Sequence, residues 1–200
     1  MKTITDIVKE VENNIIGRVA NTIGDKKIDN VEVLLEYVLK AGGGNHLEIG
    51  TLFGGSAIAV AMLKREYSHS GMVFCIDPLD GYYGENRPDI SGVSVSAGTL
   101  FENIDKFDVG YRLAVIKSYS LDVSSLVDIK FSTAYIDGEH SDEVPLNDWI
   151  KYKDLVTKYV IFDNCADIHP DVQFACDTAS KTYGWKTVYN SGITYVVKRV

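Results

Sequence analysis

Residues 46–56 read HLEIGTLFGGS, and this stretch decides the fold. A short apolar strand carries the carboxylate Glu48 near its end and runs into Gly50. A brief loop then reaches Gly54 and Gly55, and GSAIAVAMLKREYS (55–68) continues as a helix with small residues on its inner face. Glycine-rich turns between a strand and a helix hold nucleotides or nucleosides, because backbone can approach the ligand closely there. A phosphate-binding loop needs a lysine just after its glycines, but Ser56 and Ala57 follow here. A dinucleotide fingerprint needs a second glycine two positions after the first, but Leu52 stands there. What remains is a cradle beside a carboxylate, which repels a pyrophosphate and suits a ligand carrying an ammonium or sulfonium group.

Working outward, strands and helices alternate. GMVFCID (71–77), YRLAVIK (111–117), STAYID (132–137) and KYVIFDN (158–164) read as further strands; EVPLNDWIKYKDLV (143–156) and PDVQFACDTASKTYG (170–184) read as helices. Short, continuously apolar strands separated by helices predict a parallel sheet buried on both faces. The end breaks the rhythm: WKTVYNSGITYVVKRV (185–200) alternates as two strands joined at Asn190, Ser191 and Gly192, an antiparallel hairpin. The expected fold is therefore α/β, a doubly wound, mostly parallel, seven-stranded sheet with helices on both faces. Ahead of it, ITDIVKEVENNII (4–16) and VEVLLEYVLKAGGG (31–44) have helical spacing, with Asp29 or Asn30 as a cap and glycines 42–44 as the stop. One domain is expected over 1–200: a helical cap over 1–44 and an α/β core over 45–200. Residues 79–98, LDGYYGENRPDISGVSVSAG, lack periodicity and read as a long functional loop or lid, with Tyr82 and Tyr83 either covering a ligand or anchoring the loop.

With 28 acidic against 20 basic residues, the net charge is -8, which excludes nucleic acid and anionic membrane as main partners. No segment has the apolar length of a membrane span, and the charged N-terminus lacks the apolar core of a signal peptide. Cys75, Cys165 and Cys176 form neither a disulfide framework nor a zinc pattern, so a reducing, cytoplasmic setting is the default.

The second strand ends in Asp77, where a carboxylate is placed to accept hydrogen bonds from ribose hydroxyls. The series EIGTLFGGS, CID and SYS (118–120) resembles the cofactor-binding series of class I S-adenosylmethionine-dependent methyltransferases, and the terminal hairpin resembles that family's last two strands. The E-x-G-x-x-x-G-x-S form of residues 48–56 is most similar to small-molecule O-methyltransferases. The resemblance implies a Rossmann-like fold and S-adenosylmethionine as cofactor. It implies that Gly50 and Gly54 lie near the methionine moiety, Ser56 near its carboxylate, Asp77 at the ribose and Ser120 at the adenine. Glu48 has a less uniform role in the family.

A second cluster is YIDGEHSDE (135–143) with IFDNCAD (161–167). Asp137 ends the fourth strand, while Asp163 and Asn164 end the fifth, and neighbouring parallel strands open their C-terminal ends into one crevice. Two carboxylates and an amide oxygen make a hard donor set suited to Mg²⁺ or another divalent cation. Such residues also cap helices and shape turns. The pattern resembles the metal site of cation-dependent catechol-type O-methyltransferases, and IDGEHSDE resembles a segment of sugar- and antibiotic-tailoring enzymes. Those catechol enzymes have a lysine three residues after the first aspartate; here His140 stands there, as general base, metal ligand or structural histidine. His169, before Pro170, reads as a helix-capping residue, and His46 and His69 as structural or exposed.

The expected activity is Mg-dependent O-methylation of a small polyhydroxylated acceptor, a catechol or a sugar, with His140 and Asp137 catalytic. The alternatives are a non-catalytic nucleoside-binding or regulatory module on the same fold and an NAD-dependent enzyme, which the missing fingerprint disfavours. The N-terminal helices are read either as a cover over the site or as a homodimer interface.

Overall fold

The computed structural model describes residues 1–19, 30–82, 88–166 and 169–200, together with the backbone of 22–23 and 26–27. Seven strands form the main sheet: β1 (Asn45–Ile49), β2 (Val73–Asp77), β3 (Leu113–Lys117), β4 (Phe131–Ile136), β5 (Val156–Phe162), β6 (Trp185–Asn190) and β7 (Tyr195–Arg199). Their order is β3-β2-β1-β4-β5-β7-β6. The first five are parallel, and β7 inserts antiparallel between β5 and β6. The doubly wound sheet and terminal hairpin are as the sequence predicts. The hairpin's connection is longer than three residues, since Asn190 pairs with Tyr195 across it.

Side chains alternate between two cores. On one face Val73, Cys75, Tyr135 and Ile161 meet helices α1 (Ile4–Asn14), α2 (Asn30–Ala41) and α3 (Gly55–Glu66). On the other, Leu47, Ile76, Ala134, Ile136 and Phe162 meet α5 (Val144–Tyr152) and α6 (Pro170–Lys181), where Trp149 stacks edge-on against Trp185 at 5.0 Å. Helix α3 lies between the sheet and α1 and α2, so its residues 57–64 are all buried. The run of alanines at 57, 59 and 61 fits that confinement. Helix α1 starts at a capping box, with Thr3 Oγ1 accepting from the Asp6 amide and the Asp6 carboxylate accepting from the Thr3 amide.

Three features depart from the sequence reading. Helix α4 (Ala97–Lys106) fills the β2–β3 crossover, where the sequence reading places a loop over 97–98 and no element over 99–110. Its signals are Ser96, whose hydroxyl caps the Thr99 amide, and buried Leu100 and Ile104 one turn apart. A parallel crossover needs a covering element of this kind. Second, Thr22–Ile23 pairs antiparallel with Lys26–Lys27 between the two N-terminal helices. Third, Cys165 and Cys176 are joined as a disulfide, tying the segment after β5 to α6, while Cys75 is free and buried. Asp29 and Tyr83 lie outside the described residues. Among the described residues no helix is long and apolar enough to cross a membrane.

Candidate active site

Parallel β1–β5 bring their C-terminal ends to one edge of the sheet. Backbone hydrogen bonds continue past the strands there, from Gly50 to Ile76, from Asp137 to Ile49 and from Asp163 to Ile136, at 2.9–3.1 Å. One cavity of about 780 Å³ opens along this edge. Gly50, Ser56, Asp77 and Ser120 line it at one end; Asp137, His140, Asp163 and Asn164 line it at the other.

Gly50 has φ +82, and a Cβ there would stand 2.0 Å from the Asp137 carbonyl oxygen. Its glycine is required by the approach of β4 as well as by any ligand. Gly54, the N-cap of α3 at φ +88, faces Leu100 and is not among the cavity's lining residues; Gly55 is. Ser56 stands in the first turn of α3, where free backbone N–H groups and the helix dipole favour a carboxylate.

Glu48 lies beneath the loop, fully buried and outside the lining. Burial pushes its carboxyl well above the ordinary range, and the charges of Asp137 and Asp77 push the same way. The Ser56 and Thr51 hydroxyls favour its charged form, but neither Glu48 oxygen makes a hydrogen bond of ordinary geometry. Asp77 does more than face a ribose. Its Oδ2 accepts from the Thr51 and Leu52 amides and its Oδ1 from the Leu79 amide, each at 2.8 Å. The carboxylate thus fastens the glycine loop to β2, and with Oδ2 filled by two amides only Oδ1 keeps a further acceptor position.

At the other end, His140 Nε2 is 3.5 Å from Asp137 Oδ1 and 3.3 Å from the Asn164 amide nitrogen. Asp163 Oδ2 accepts from Asn30 Nδ2 at 2.9 Å, while its Oδ1 is buried without a hydrogen-bond partner. Burial raises both carboxyls, Asp137 to about 7, and the charge of Asp137 raises Asp163 further. Two buried carboxylates side by side hold a proton between them unless a cation neutralises them. Burial lowers the His140 pKa, against the opposing charges of Asp163 and Glu139, so its imidazole is neutral at pH 7. Among the described residues no three His, Cys, Asp or Glu side chains gather as metal ligands, so a cation here rests on Asp137, Asp163 and the Asn164 amide oxygen. The orphaned Asp163 oxygen and the raised carboxyls fit such a cation.

Sequence reading missed four participants. Asn30, read as a cap, reaches from α2 into the carboxylate pair. His169 occupies the N-cap position of α6 but makes no side-chain cap; its ring lies 4.7 Å from that of His140. Arg18, which lines the cavity with Tyr82, clamps Asp89 of the 79–96 segment through both carboxylate oxygens and comes within 3.4 Å of the Tyr82 hydroxyl. Asp148 lines the wall from α5. None of the four sits in a recognisable local motif; each is brought in by a distant element.

No protein-family model and no curated protein sequence matches the chain. Solved structures do. A Staphylococcus aureus protein assigned as a caffeoyl-CoA O-methyltransferase superposes with a TM-score of 0.67 at 17% identity, over 100% of this chain and 93% of its own. An O-methyltransferase from Bacillus cereus, solved with S-adenosylhomocysteine, gives 0.64 at 17% identity over 97% and 90%. CalS11, a TDP-rhamnose 3′-O-methyltransferase of calicheamicin biosynthesis, gives 0.61 at 17% identity over 84% and 76%. The chain therefore has the fold of the class I S-adenosylmethionine-dependent O-methyltransferases.

Proposed function

We propose that this protein is an S-adenosylmethionine-dependent O-methyltransferase acting on a small polyhydroxylated acceptor, with a divalent cation at Asp137, Asp163 and Asn164. The observation that carries the reading is a single cavity with a phosphate-unfriendly glycine cradle at one end and His140 among two carboxylates and an amide at the other. When bound, S-adenosylmethionine supplies an electrophilic sulfonium methyl group. The first turn of α3 at Ser56 receives its carboxylate, the remaining lone pair of Asp77 Oδ1 accepts from the ribose, and the 118–121 loop holds the adenine. A cationic ligand would favour the charged form of Glu48, whose carboxyl burial otherwise pushes toward the neutral form.

The cation supplies Lewis acidity that lowers a hydroxyl pKa. His140 Nε2, with its pKa lowered, would take the proton of the acceptor hydroxyl once that hydroxyl displaces the Asn164 amide from its single lone pair. Arg18 and Tyr82 line the cavity, with Asp89 holding Arg18 in place, and would limit water at the reacting groups. A cation held by Asp137, Asp163 and Asn164 would suit an acceptor with adjacent hydroxyls, as in a catechol or a sugar.

Calorimetry with S-adenosylmethionine, S-adenosylhomocysteine and NAD tests the cofactor. Binding of the first two and not the third is expected, and the opposite pattern removes the proposal. A screen of polyhydroxylated acceptors with and without EDTA tests the reaction and the cation. Full activity in EDTA, or in Asp137→Ala and Asp163→Ala variants, eliminates the cation's part. Binding with no methyl transfer to any acceptor leaves a nucleoside-binding module.

A further inference from the structure

Among the described residues that line the cavity, Arg18 is the one arginine or lysine, set against six aspartates and glutamates. It is held from two sides. The backbone just before it is pinned by buried Asn103 of α4, which accepts from the Ile16 amide at 2.8 Å and donates to the Ile16 and Phe53 carbonyls at 3.0 Å. Gly17, at φ +96, lies so close to the Phe53 ring that a Cβ would stand 2.5 Å from it. The guanidinium itself is fixed by Asp89, whose side chain has no exposed surface. Arg18 Nε donates to both Asp89 oxygens at 3.0 Å, and Nη2 lies 2.9 Å from Oδ1.

Counting donors shows what this anchoring leaves over. A guanidinium carries five N–H groups, and Asp89 takes the edge formed by Nε and Nη2. Nη2 has one further contact, the Tyr82 hydroxyl at 3.4 Å, and Nη1 takes part in none of these bonds. The edge formed by Nη1 and Nη2 is therefore a charged, two-point fork on a side chain already held in place. Such a fork matches a planar carboxylate bidentately. The charge balance points the same way. Burial raises the Asp137 carboxyl and the Arg18 charge is among the influences that lower it, so the two lie within electrostatic reach. A fixed positive charge there opposes both a divalent cation and a sulfonium, and an anionic group on the acceptor offsets that opposition. A carboxylate adds one negative charge, whereas a phosphate dianion would add two to a cavity already lined by six acids.

We propose that Arg18 determines acceptor specificity, binding a carboxylate on the polyhydroxylated acceptor through its Nη1 and Nη2 edge. The acceptor class is thus a hydroxylated carboxylic acid. The inference rests on the methyltransferase reading of the cavity and adds to it the charge of the molecule that is methylated.

The test is calorimetry at pH 8 with saturating S-adenosylhomocysteine and Mg²⁺, using two matched pairs: caffeate with caffeamide, and glucuronate with glucuronamide. Each acid shares its hydroxyls with its amide and differs in charge. In at least one pair the wild type is expected to bind the acid about tenfold or more tightly than the amide. The double variant Arg18→Gln, Asp89→Asn should bring that ratio to within about threefold of one; its second substitution avoids leaving the Asp89 charge buried and unpaired. A wild-type ratio near one in both pairs overturns the proposal, and so does binding of none of the four compounds. A ratio that survives in the double variant overturns it too, because the carboxylate is then held by something other than Arg18. The S-adenosylhomocysteine Kd should stay within about threefold of wild type; a loss as large as that for the acid means that Arg18 serves the cofactor, which also overturns the proposal. Should the double variant fail to fold, Arg18→Lys keeps a charge beside Asp89 and removes the fork. A ratio lowered by about threefold or more then supports the proposal, and an unchanged ratio overturns it. If the wild type does not bind S-adenosylhomocysteine, the cofactor reading falls and takes this inference with it; cofactor binding with an acid-to-amide ratio of one removes only the inference.

Discussion

Gly50→Ala tests the junction on which the whole site depends. At φ +82 the new residue would occupy the left-handed region, at a cost of about 1–2 kcal/mol for an L side chain. Its Cβ would stand 2.0 Å from the Asp137 carbonyl oxygen, 2.5 Å from the Asp137 carbonyl carbon and 2.7 Å from the Gly138 Cα. All three are backbone atoms, so no rotamer change relieves the contact. The Asp137 amide is also bound to the Ile49 carbonyl at 2.9 Å, which pins the two strand ends together. Separating them adds about 1–3 kcal/mol, as overpacking does elsewhere, for a total of about 2–5 kcal/mol. For a chain of this size that corresponds to a Tm lower by about 5–15 °C. Gly42→Ala is the control: Gly42 has φ +72, but nothing lies within 4 Å of where its Cβ would stand, so it carries the backbone strain alone. Urea unfolding followed by circular dichroism measures both. Equal destabilisation of the two variants, or a Gly50→Ala value within about 1 kcal/mol of wild type, would refute the claim that the β1–β4 contact dictates this glycine.

Asn30→Ala removes the donor to Asp163 Oδ2 and leaves a second buried oxygen unpaired; in cation-free buffer, urea unfolding should show a loss of about 1–3 kcal/mol. His140→Ala should lower kcat by about 10²–10⁴ while the S-adenosylhomocysteine Kd, read by calorimetry, changes little. Asp89→Ala leaves Arg18 without its carboxylate over the cavity and should cost about 3–5 kcal/mol in the same unfolding assay, because half of a largely buried pair remains. The Asp137 carboxyl has its folded pKa raised from 3.8 to about 7, so between those values the folded state holds more protons than the unfolded state. This group's contribution to stability is therefore greatest below about pH 4 and declines as pH rises through about 7. Unfolding free energies in EDTA should fall over that window, and Asp137→Asn should flatten its share of the fall.

The sheet's strands and its mostly parallel character were legible because parallel strands buried on both faces leave continuous apolar runs, as VFCID and KYVIF do. The strand-end acids were legible because a polar residue closing such a run has few places to go but the crevice. Helix α4 was hidden by the polar, glycine-rich segment before it, although Ser96, Leu100 and Ile104 carried its signature. Asn30, His169 and Asp148 were illegible for a different reason. Each belongs to an ordinary helical pattern, and only the packing of α2, α6 and α5 against the sheet turns its side chain toward the cavity. Local sequence records which face of a helix is apolar, but not which polar residue stands at the one point where that face meets a strand end. Asp77 shows the converse: its position was legible, yet its hold on the Thr51, Leu52 and Leu79 amides depends on how the loop closes.

The acids along this edge pose one energetic problem. Glu48, Asp77, Asp137 and Asp163 lie on or at the ends of four adjacent strands, three of them buried and Asp137 nearly so, and burial raises the carboxyl pKa of each. Only Asp77 has its charge well met, by three backbone amides, while Glu48 and Asp163 keep oxygens with no hydrogen-bond partner. A chain under selection for stability alone would replace such groups with apolar ones, since unpaired buried carboxylates destabilise the fold. Positive ligands reverse that balance. A sulfonium near Glu48 and a divalent cation between Asp137 and Asp163 would each favour the ionised form of carboxyls that burial otherwise pushes toward protonation, in a dry setting where electrostatic interactions are strongest. Each ligand should therefore raise stability by RT ln(1 + [L]/Kd). Together they should raise it by less than the sum, because the first cation to bind neutralises part of the field that draws the second. Thermal unfolding with S-adenosylmethionine, Mg²⁺ and both together measures this directly: a combined shift equal to the sum of the two would mean that the acids do not act as one field.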